Sequence, residues 1–335
     1  MTEITSSVAM ATYNGSRYIL EQLRSIEEQT VKPDEIVICD DGSSDDTVAV
    51  IREYAVQSAL DIKLYQNEKN LGFRRNFEKA ISLCTKDVVF LCDQDDVWVR
   101  DKVERFLNAY ACDDKLVYAF SDAYITDQAL NITHDSIWAM MNVDWASMDN
   151  QTFFDKVQCR VFPLGFSAAA RRCFLEQIIP FRMDHDGWIA LCAPAFGDIK
   201  AIDEKLVYYR RHSNATSDFA KPTGFMRSKL NLVKRIFMTK YQMYFTWPQC
   251  EYDDYSTVVV YASTAQLINV DEVIRHLDYL GMINEVQNKD CVSRVWGLWK
   301  LYKSGLYQKY RGNAKQLMLD SVFMMANSVK RQANR

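Results

Sequence analysis

Short apolar stretches alternate with helical stretches through residue 121, and this alternation restricts the possible folds more than any other feature. Val88–Cys92 is continuously apolar and indicates a strand, whereas Ser16–Gln29 carries its apolar residues on one helical face. The other predicted strands are Ile4–Thr12, Glu35–Cys39, Ile62–Tyr65, Leu116–Phe120 and, more weakly, Ala201–Tyr209; the other predicted helices are Asp46–Val56, Arg74–Cys84 and Lys102–Tyr110. Such alternation predicts an α/β fold with a parallel sheet and helices on both faces.

Polar residues follow three of the predicted strands. Thr12–Gly15 comes after the first strand, Asp40–Ser43 after the second and Asp93–Asp96 after the fourth. Ligands of open α/β sheets bind in the crevice beyond the carboxyl ends of the strands. We therefore expect the three clusters to line one site at one edge of the sheet.

The acidic run Asp93–Asp96 has the form of a DXD motif. Two carboxylates one residue apart, just beyond a buried strand, repel each other unless a cation, a proton or basic partners lie nearby. Oxygen ligands suit Mg²⁺ or Mn²⁺, which also bind phosphate oxygens of a substrate. A solvated acidic turn is the alternative, and the position directly after Val88–Cys92 favours the metal.

The second cluster, Asp40–Thr47, has two plausible roles. Asp45 or Asp46 can cap the following helix by accepting hydrogen bonds from its first amides. Asp41 lies nearer the strand end and can accept a hydrogen bond from a pyrimidine imide. The segment lacks the ligand spacing of a calcium-binding loop.

Charge divides the chain into two parts. Residues 1–218 are net acidic and residues 219–335 net basic, with no acid between Asp218 and Glu251. We predict one α/β domain over residues 1–218 and a helical, basic extension over 219–335. Basic amphipathic helices with aromatic residues, such as those expected around Arg294–Lys315, indicate contact with an anionic membrane surface; packing of the apolar face on the first domain is the alternative. The acidic first domain argues against nucleic acid as a partner.

We expect the chain to be cytoplasmic and at most peripheral to the inner face of the plasma membrane. The first residues carry an acid where a signal peptide has bases, and no apolar run approaches the ~18 residues that span a bilayer. The nine cysteines form no CxxC pair, and most lie in apolar stretches, as reduced core residues do.

Five short strings occur in a fixed order along the chain: Ala11–Gly15, Asp40–Asp45, Asn70–Phe73, Asp93–Asp96 and Asp186–Trp188. Together they resemble family 2 glycosyltransferases with the GT-A fold over about residues 5–215. Within that family the chain is similar to rhamnosyltransferase-like bacterial enzymes that build O-antigen or capsule. The resemblance implies a mostly parallel GT-A sheet flanked by helices, and an inverting, metal-dependent hexosyltransferase.

The resemblance implies a nucleotide diphosphate sugar as donor and a saccharide, expected to be lipid-linked, as acceptor. Rhamnose on dTDP is the favoured donor, and galactose or glucose on UDP is the alternative. A nucleotide-sugar-binding subunit without transfer is a second alternative, against which the full set of motif residues argues. A dehydrogenase would need a GxGxxG turn after a strand, which the sequence lacks.

The resemblance also implies roles for residues at the donor site. Tyr13 and Asp41 match positions that hold the nucleotide base, and Ala11 and Thr12 match positions that line the same pocket. Arg74 matches a basic position near the base and phosphates, a role that Arg75 could take instead.

Further roles concern the metal and the chemistry. Asp95 matches the direct ligand of Mg²⁺ or Mn²⁺, and Asp93 the residue that reaches the ribose or a metal-bound water. Arg210 and His212 match a late loop that closes over the diphosphate and completes the metal shell. Asp186 matches the catalytic base, although the neighbouring Asp184 or His185 could take that role.

Overall fold

In the computed structural model, residues 4–158, 161–212, 282 and 291–305 are described. The chain divides into two units, Met1–Pro222 and Thr223–Arg335. The predicted boundary after residue 218 and the basic stretch up to Glu251 lie outside the described residues. The predicted domain limits therefore stay predictions.

The described part of the first unit contains a nine-stranded sheet. Its strands are β1 (Ser6–Thr12), β2 (Glu35–Asp40), β3 (Ile62–Gln66), β4 (Val88–Cys92), β5 (Val97–Trp98), β6 (Leu116–Thr126), β7 (Ile132–His134), β8 (Ala168–Arg171) and β9 (Asp198–Arg210). Their order is β3-β2-β1-β4-β8-β6-β9-β5, with β7 paired to β6. The long pairings, β1 with β2 and β4, β2 with β3, and β6 with β9, are parallel.

Helices cover this sheet. They are α1 (Ile19–Glu27), α2 (Thr47–Gln57), α3 (Phe73–Leu83), α4 (Lys102–Cys112), α5 (Ile137–Met141), α6 (Asn150–Gln158), α7 (Arg172–Ile178) and α8 (His185–Cys192), with 3₁₀ turns at Gly165–Ser167 and Ala193–Ala195. Every residue of β2 and β4 is buried. Strands covered on both faces read as continuous apolar runs, which is why Val88–Cys92 could be recognised as a strand.

The predicted α/β fold with a mostly parallel sheet is confirmed. The four predicted helices and the strands up to residue 92 lie within a few residues of their predicted limits, whereas β6 continues beyond its predicted end at Phe120 to Thr126. β8 was not predicted, because its sequence, Ala-Ala-Ala-Arg, has little intrinsic preference for a strand. It exists because β4 and β6 flank it on both sides and supply antiparallel hydrogen-bond partners.

Apart from Met282 and residues 304–305, the described part of the second unit is the helix α9 (Cys291–Lys303). Leu298 and Leu301 are buried, whereas Trp296 and Trp299 are about half exposed. A helix was expected here, as part of the basic and aromatic stretch Arg294–Lys315. Within the described residues, no helix is both long and apolar enough to cross a membrane.

Candidate active site

Three polar segments meet at the carboxyl ends of adjacent strands. β1 lies between β2 and β4, and all three run in the same direction. Tyr13–Gly15, Asp41–Ser43 and Asp93–Asp96 directly follow these strands and therefore lie at the same edge of the sheet. The structure thus brings the three sequence clusters together as expected.

The segment after β1 is tied to the segment after β2. The Asn14 amide donates to Ser43 Oγ at 2.9 Å, and the Ser44 amide donates to Asn14 Oδ1 at 2.8 Å. Asn14 adopts a left-handed conformation with φ 48°, which asparagine tolerates better than most residues. Thr12 is buried, and its hydroxyl donates to Asp40 Oδ2 at 3.0 Å, while Ala11 is partly exposed.

Asp41 is buried and holds the loop that precedes α3. Its carboxylate accepts hydrogen bonds from Asn67 Nδ2 at 2.8 Å, the Leu71 amide at 2.7 Å and the Gly72 amide at 2.9 Å. These contacts assign Asp41 a positioning role that the sequence analysis did not anticipate. Its predicted contact with a nucleotide base stays a prediction.

Gln94, which the sequence analysis did not assign, connects the acidic segment to the segment after β1. The Tyr13 amide donates to Gln94 Oε1 at 2.9 Å, and Gln94 Nε2 donates to the Tyr13 carbonyl at 3.0 Å. The Tyr13 side chain is 50% exposed at this edge. The one indication in the sequence that Gln94 belongs to the site is its position between Asp93 and Asp95.

The acids of the motif differ in their surroundings. Burial, together with the charges of the nearby Asp95 and Asp186, raises the pKa of Asp93 to about 7. Burial also raises the pKa of Asp96 well above its usual value, with Asp95 and Asp93 adding to the effect. Asp96 Oδ1 accepts the Arg210 amide at 2.9 Å, while its Oδ2 is buried without a hydrogen-bond partner among the described residues.

A buried lysine lies near the acidic segment. Lys102, the first residue of α4, is fully buried, and its ammonium donates to the Phe166 carbonyl at 2.8 Å and lies 4.0 Å from the centre of the Trp98 ring. Burial lowers its pKa to about 7, and the carboxylates of Asp96 and Asp93 oppose this effect. The burial of Lys102 was not predicted from sequence, because lysines are almost never fully buried unless paired.

Arg210 and His212 follow β9 and reach the acidic segment. β5 pairs with β9, Val97 opposite Tyr208, which places the end of β9 beside the motif. His212 is buried, and its Nε2 lies 2.8 Å from Asp95 Oδ2. The structure therefore brings together the two residues predicted to bind a metal directly.

The Arg210 guanidinium is engaged within the protein. Its Nε donates to the Asp95 carbonyl at 2.9 Å and its Nη1 to the Gln128 carbonyl at 2.8 Å, while its Nη2 pairs with Glu21. The group also stacks over the Tyr18 ring, 4.7 Å from the ring centre. These contacts hold the acidic segment in place, and the predicted contact of Arg210 with a diphosphate stays a prediction.

Asp186 lies in the first turn of α8. It is partly exposed, its Oδ1 accepts the amide of Gly187 at 2.8 Å, and its charge contributes to the raised pKa of Asp93. His185 instead is buried and stacks on Phe77 with ring centres 4.0 Å apart. This stacking packs α8 onto α3, and burial lowers the pKa of His185.

Arg74, on α3, links that helix to the segment before α8. Its Nη1 donates to the Arg182 carbonyl at 3.2 Å. Arg74 is thus near the segment that carries Asp186, and its predicted proximity to the base and phosphates stays a prediction.

The residues present suit a divalent metal. In residues 4–158 and 161–212, and in α9, no three His, Cys, Asp or Glu side chains form a complete metal cage. Mg²⁺ does not need one, because it binds through one or two carboxylates together with substrate phosphates. Asp95 and His212 supply a carboxylate and an imidazole at one point, and burial with the charges of Asp95 and Asp186 raises the pKa of Asp93 despite the nearby Lys102, so a bound cation would favour its charged form.

Sequence and structure comparisons agree on the class of protein. The model of the family described as "Glycosyl transferase family 2" matches residues 7–176. An uncharacterised glycosyltransferase of Nostoc sp. is 32% identical over 213 residues, which cover 62% of this chain and 64% of that protein. The dTDP-rhamnosyl transferase RfbG of Shigella flexneri is 35% identical over 119 residues, which cover 34% of this chain and 39% of that protein. The chain therefore spans less than two thirds of the length of these relatives.

A solved structure confirms the fold. The crystal structure of S. aureus TarS in complex with UDP-GlcNAc matches 98% of this chain and 92% of its own chain, with a TM-score of 0.58 at 14% identity. At this identity the likeness concerns the fold, and it agrees with the GT-A sheet described above. The family model matches more than half of the residues of this chain, and the chain therefore belongs to glycosyl transferase family 2.

Proposed function

We propose that the chain is an inverting glycosyltransferase that moves a sugar from a nucleotide diphosphate to a saccharide acceptor. The observation that carries this proposal is the meeting of Asp95 and His212, which lie 117 residues apart in sequence, at a sheet edge that also presents Tyr13. Asp186 lies close enough for its charge to affect Asp93. Such a transfer requires two residues that can bind one metal ion, a catalytic base, and an exposed aromatic ring for the nucleotide base.

The proposed roles follow from residue chemistry. Asp186 takes the proton of the acceptor hydroxyl, whose oxygen attacks the anomeric carbon while the bond to the diphosphate oxygen breaks. A single displacement of this kind inverts the anomeric centre. Asp95 and His212, with Asp93, would hold Mg²⁺ or Mn²⁺, which neutralises charge on the departing diphosphate when bound. No acid is needed on the leaving group for this reason.

We propose that the other predicted residues hold the nucleotide. Tyr13 offers an exposed ring for stacking, Ala11 and Thr12 lie at the end of β1, and Asp41 lies beside them at the end of β2. Arg74 lies near the segment that carries Asp186, the proposed catalytic base, and Arg210 contacts Asp95, a proposed metal ligand. The partial similarity to a dTDP-rhamnosyl transferase favours rhamnose on dTDP as donor, with galactose or glucose on UDP as the alternative.

A donor screen tests the proposal. Calorimetric titration with dTDP-rhamnose, UDP-galactose and UDP-glucose, each with Mn²⁺ and with a chelator, should show binding of at least one donor that weakens on chelation. Asp95→Asn should lose the effect of Mn²⁺, whereas Asp114→Asn, an exposed carboxylate outside the site, should keep it. Equal binding by wild type and Asp95→Asn in the presence of Mn²⁺ would contradict the role given to Asp95.

We also propose that the acceptor is lipid-linked and that the chain contacts the inner face of the plasma membrane. The support is α9, on which Trp296, Trp299, Lys300 and Lys303 are exposed. Aromatic and basic side chains on one helical face suit the interface of an anionic membrane.

A further inference from the structure

Beyond the last paired residues of β1 and β4, the side chain of Gln94 makes the backbone hydrogen bonds that a neighbouring strand would otherwise make. The last ladder partners of β1 and β4 are Met10 and Cys92. Beyond them, Gln94 Oε1 accepts the Tyr13 amide at 2.9 Å and Gln94 Nε2 donates to the Tyr13 carbonyl at 3.0 Å. An amide nitrogen can only donate and a carbonyl can only accept, so a glutamine side chain fits both groups and a glutamate does not.

Gly15 leaves the space that Gln94 occupies. A Cβ atom at Gly15 would lie 2.1 Å from Gln94 Oε1 and 2.3 Å from its Cδ. Both distances are far shorter than a non-bonded contact. Gly15 does not have the left-handed backbone conformation seen at Gly42 and Gly72, so the glycine is required here for space. Two segments 81 residues apart are therefore shaped for one contact.

The contact joins the two ends of the proposed donor site. Tyr13, proposed for the nucleotide base, is held through its own backbone, and Gln94 lies between Asp93 and Asp95 in the segment proposed for the metal and diphosphate. When one ligand binds at two places, a rigid connection between them lets the second contact form without a further loss of conformational entropy.

We infer that Gln94 is a positioning residue that couples nucleotide binding at Tyr13 to metal and diphosphate binding at Asp95. The inference rests on the proposed function and deepens it, since it concerns the same site. Loss of two neutral hydrogen bonds should cost the coupled event about tenfold in affinity.

Nucleoside diphosphate binding to the full chain tests this coupling. UDP, dTDP and GDP are titrated with saturating Mn²⁺ and with a chelator, and the ratio of the two Kd values measures the gain from the metal. Gln94→Met removes both hydrogen bonds, and Gly15→Ala displaces the amide while leaving Gln94 in the chain. Both variants should reduce the gain about tenfold and change the Kd in chelator less.

Control variants separate coupling from damage to the fold. Gln57→Met makes the same change at an exposed position of α2 and should keep the wild-type gain, while thermal unfolding checks that Gln94→Met and Gly15→Ala are folded. The inference is overturned if either folded variant keeps the full gain, or if both weaken binding equally with and without Mn²⁺. If the wild-type chain binds none of the three nucleotides, the proposed function fails as well.

Discussion

Two acids of the first unit, Glu35 and Asp93, show how nearby donors determine the charge of a carboxyl group. Glu35 is fully buried, and its carboxylate accepts hydrogen bonds from Ser7, Lys63 and Thr85. Burial would raise its pKa, but these donors outweigh burial and lower the pKa to about 2. Asp93 has acids as neighbours, and burial together with their charge raises its pKa to about 7. Glu35 is thus a structural anion, whereas a bound cation, in addition to the nearby Lys102, would favour the charged form of Asp93.

The pKa of Glu35 predicts how stability changes with pH. Its folded value of about 2 lies below the ordinary 4.5, so its charge stabilises the fold above pH 4.5 and this contribution is lost as the pH falls toward 2. Glu35→Gln should therefore reduce the free energy of unfolding at neutral pH by about 3 kcal/mol. Urea denaturation should show this difference shrinking below pH 4.5.

Glu53→Gln provides the matched control for this prediction, because Glu53 is exposed on α2. Its stability should follow wild type at every pH. A Glu35→Gln difference that stayed constant with pH would mean that shape, and not charge, accounts for the role of Glu35.

Asp186 is the residue whose loss should separate chemistry from binding. Removing a general base typically costs a factor of about 10² to 10⁴, because the acceptor hydroxyl must then lose its proton unaided. Asp186→Asn should lower kcat by a factor in this range and leave the donor Kd within about twofold of wild type. Single-turnover transfer and calorimetric donor binding measure the two effects. Transfer at the wild-type rate would show that another group is the base.

The residues of the site differ in how far sequence alone could identify them. Asp95 lies in one of the strings that resemble a family and His212 matches a late loop of that family, and the structure places Asp95 Oδ2 and His212 Nε2 2.8 Å apart. Gln94 lies within the Asp93–Asp96 string, which gives no sign of its contact with Tyr13, and Lys102 lies outside every string, because the partners of both residues are distant in sequence. A contact of this kind has no local pattern, so only the folded chain shows it.

At the scale of elements, α8 matters most, since it carries Asp186. His185 fixes this helix by stacking on Phe77 of α3, and Trp188 Nε1 donates to the Ile178 carbonyl at 2.8 Å. The 3₁₀ turn Gly165–Ser167 packs against the start of the helix, where a Cβ at Gly165 would lie 2.6 Å from His185 Nε2. The position of Asp186 therefore depends on a glycine outside its own helix.

Gly165→Ala should lower both stability and transfer. The added methyl must displace His185, and overpacking of this kind costs about 1–3 kcal/mol. Because His185 adjoins Asp186, we also expect kcat to fall by about tenfold or more. Thermal unfolding and steady-state transfer measure the two effects.

Gly197→Ala is the matched control for this variant. A Cβ there would lie 2.3 Å from the Lys115 carbonyl, so the strain is at least comparable. Gly197 precedes β9 at the end of the sheet opposite the site, and its variant should lose stability without a specific loss of kcat. Equal losses of kcat in both variants would mean that instability alone explains the effect.

Elements with strong periodicity could be predicted from sequence, and elements made by their neighbours could not. β4 is apolar at every position and α1 buries Ile19, Leu23 and Ile26 on one face, so both carry their own signal. β8 and β5 are short and become strands only through pairing with longer strands. β5 is nevertheless the element that brings the end of β9 to the acidic segment, so part of the site depends on a strand without a local signal.

At the scale of the whole molecule, the division of charge predicted from sequence suggests separate partners for the two parts of the chain. The acidic first part carries the candidate active site. In the second, Trp296, Trp299, Lys300 and Lys303 are spaced three, four and seven residues apart and are all exposed, opposite the buried Leu298 and Leu301. Lys300 lies 3.6 Å from the centre of the Trp296 ring. This face offers aromatic surface and positive charge together, which an anionic bilayer can bind.

Substitution of the exposed face of α9 should therefore release the full chain from anionic vesicles. Each basic residue near such a surface contributes ~1 kcal/mol, so Lys300→Gln with Lys303→Gln should weaken binding about thirtyfold. Binding to neutral vesicles should be the same for this variant and wild type, since the loss is electrostatic. Trp296→Ala with Trp299→Ala should instead weaken binding to anionic and to neutral vesicles. Lys32→Gln with Lys200→Gln makes the same change in net charge on exposed positions of the first unit and should bind as wild type does. Vesicle flotation measures the binding of wild type and of the three double variants. Equal weakening by the two pairs of lysine substitutions would show that net charge, and not α9, determines the contact.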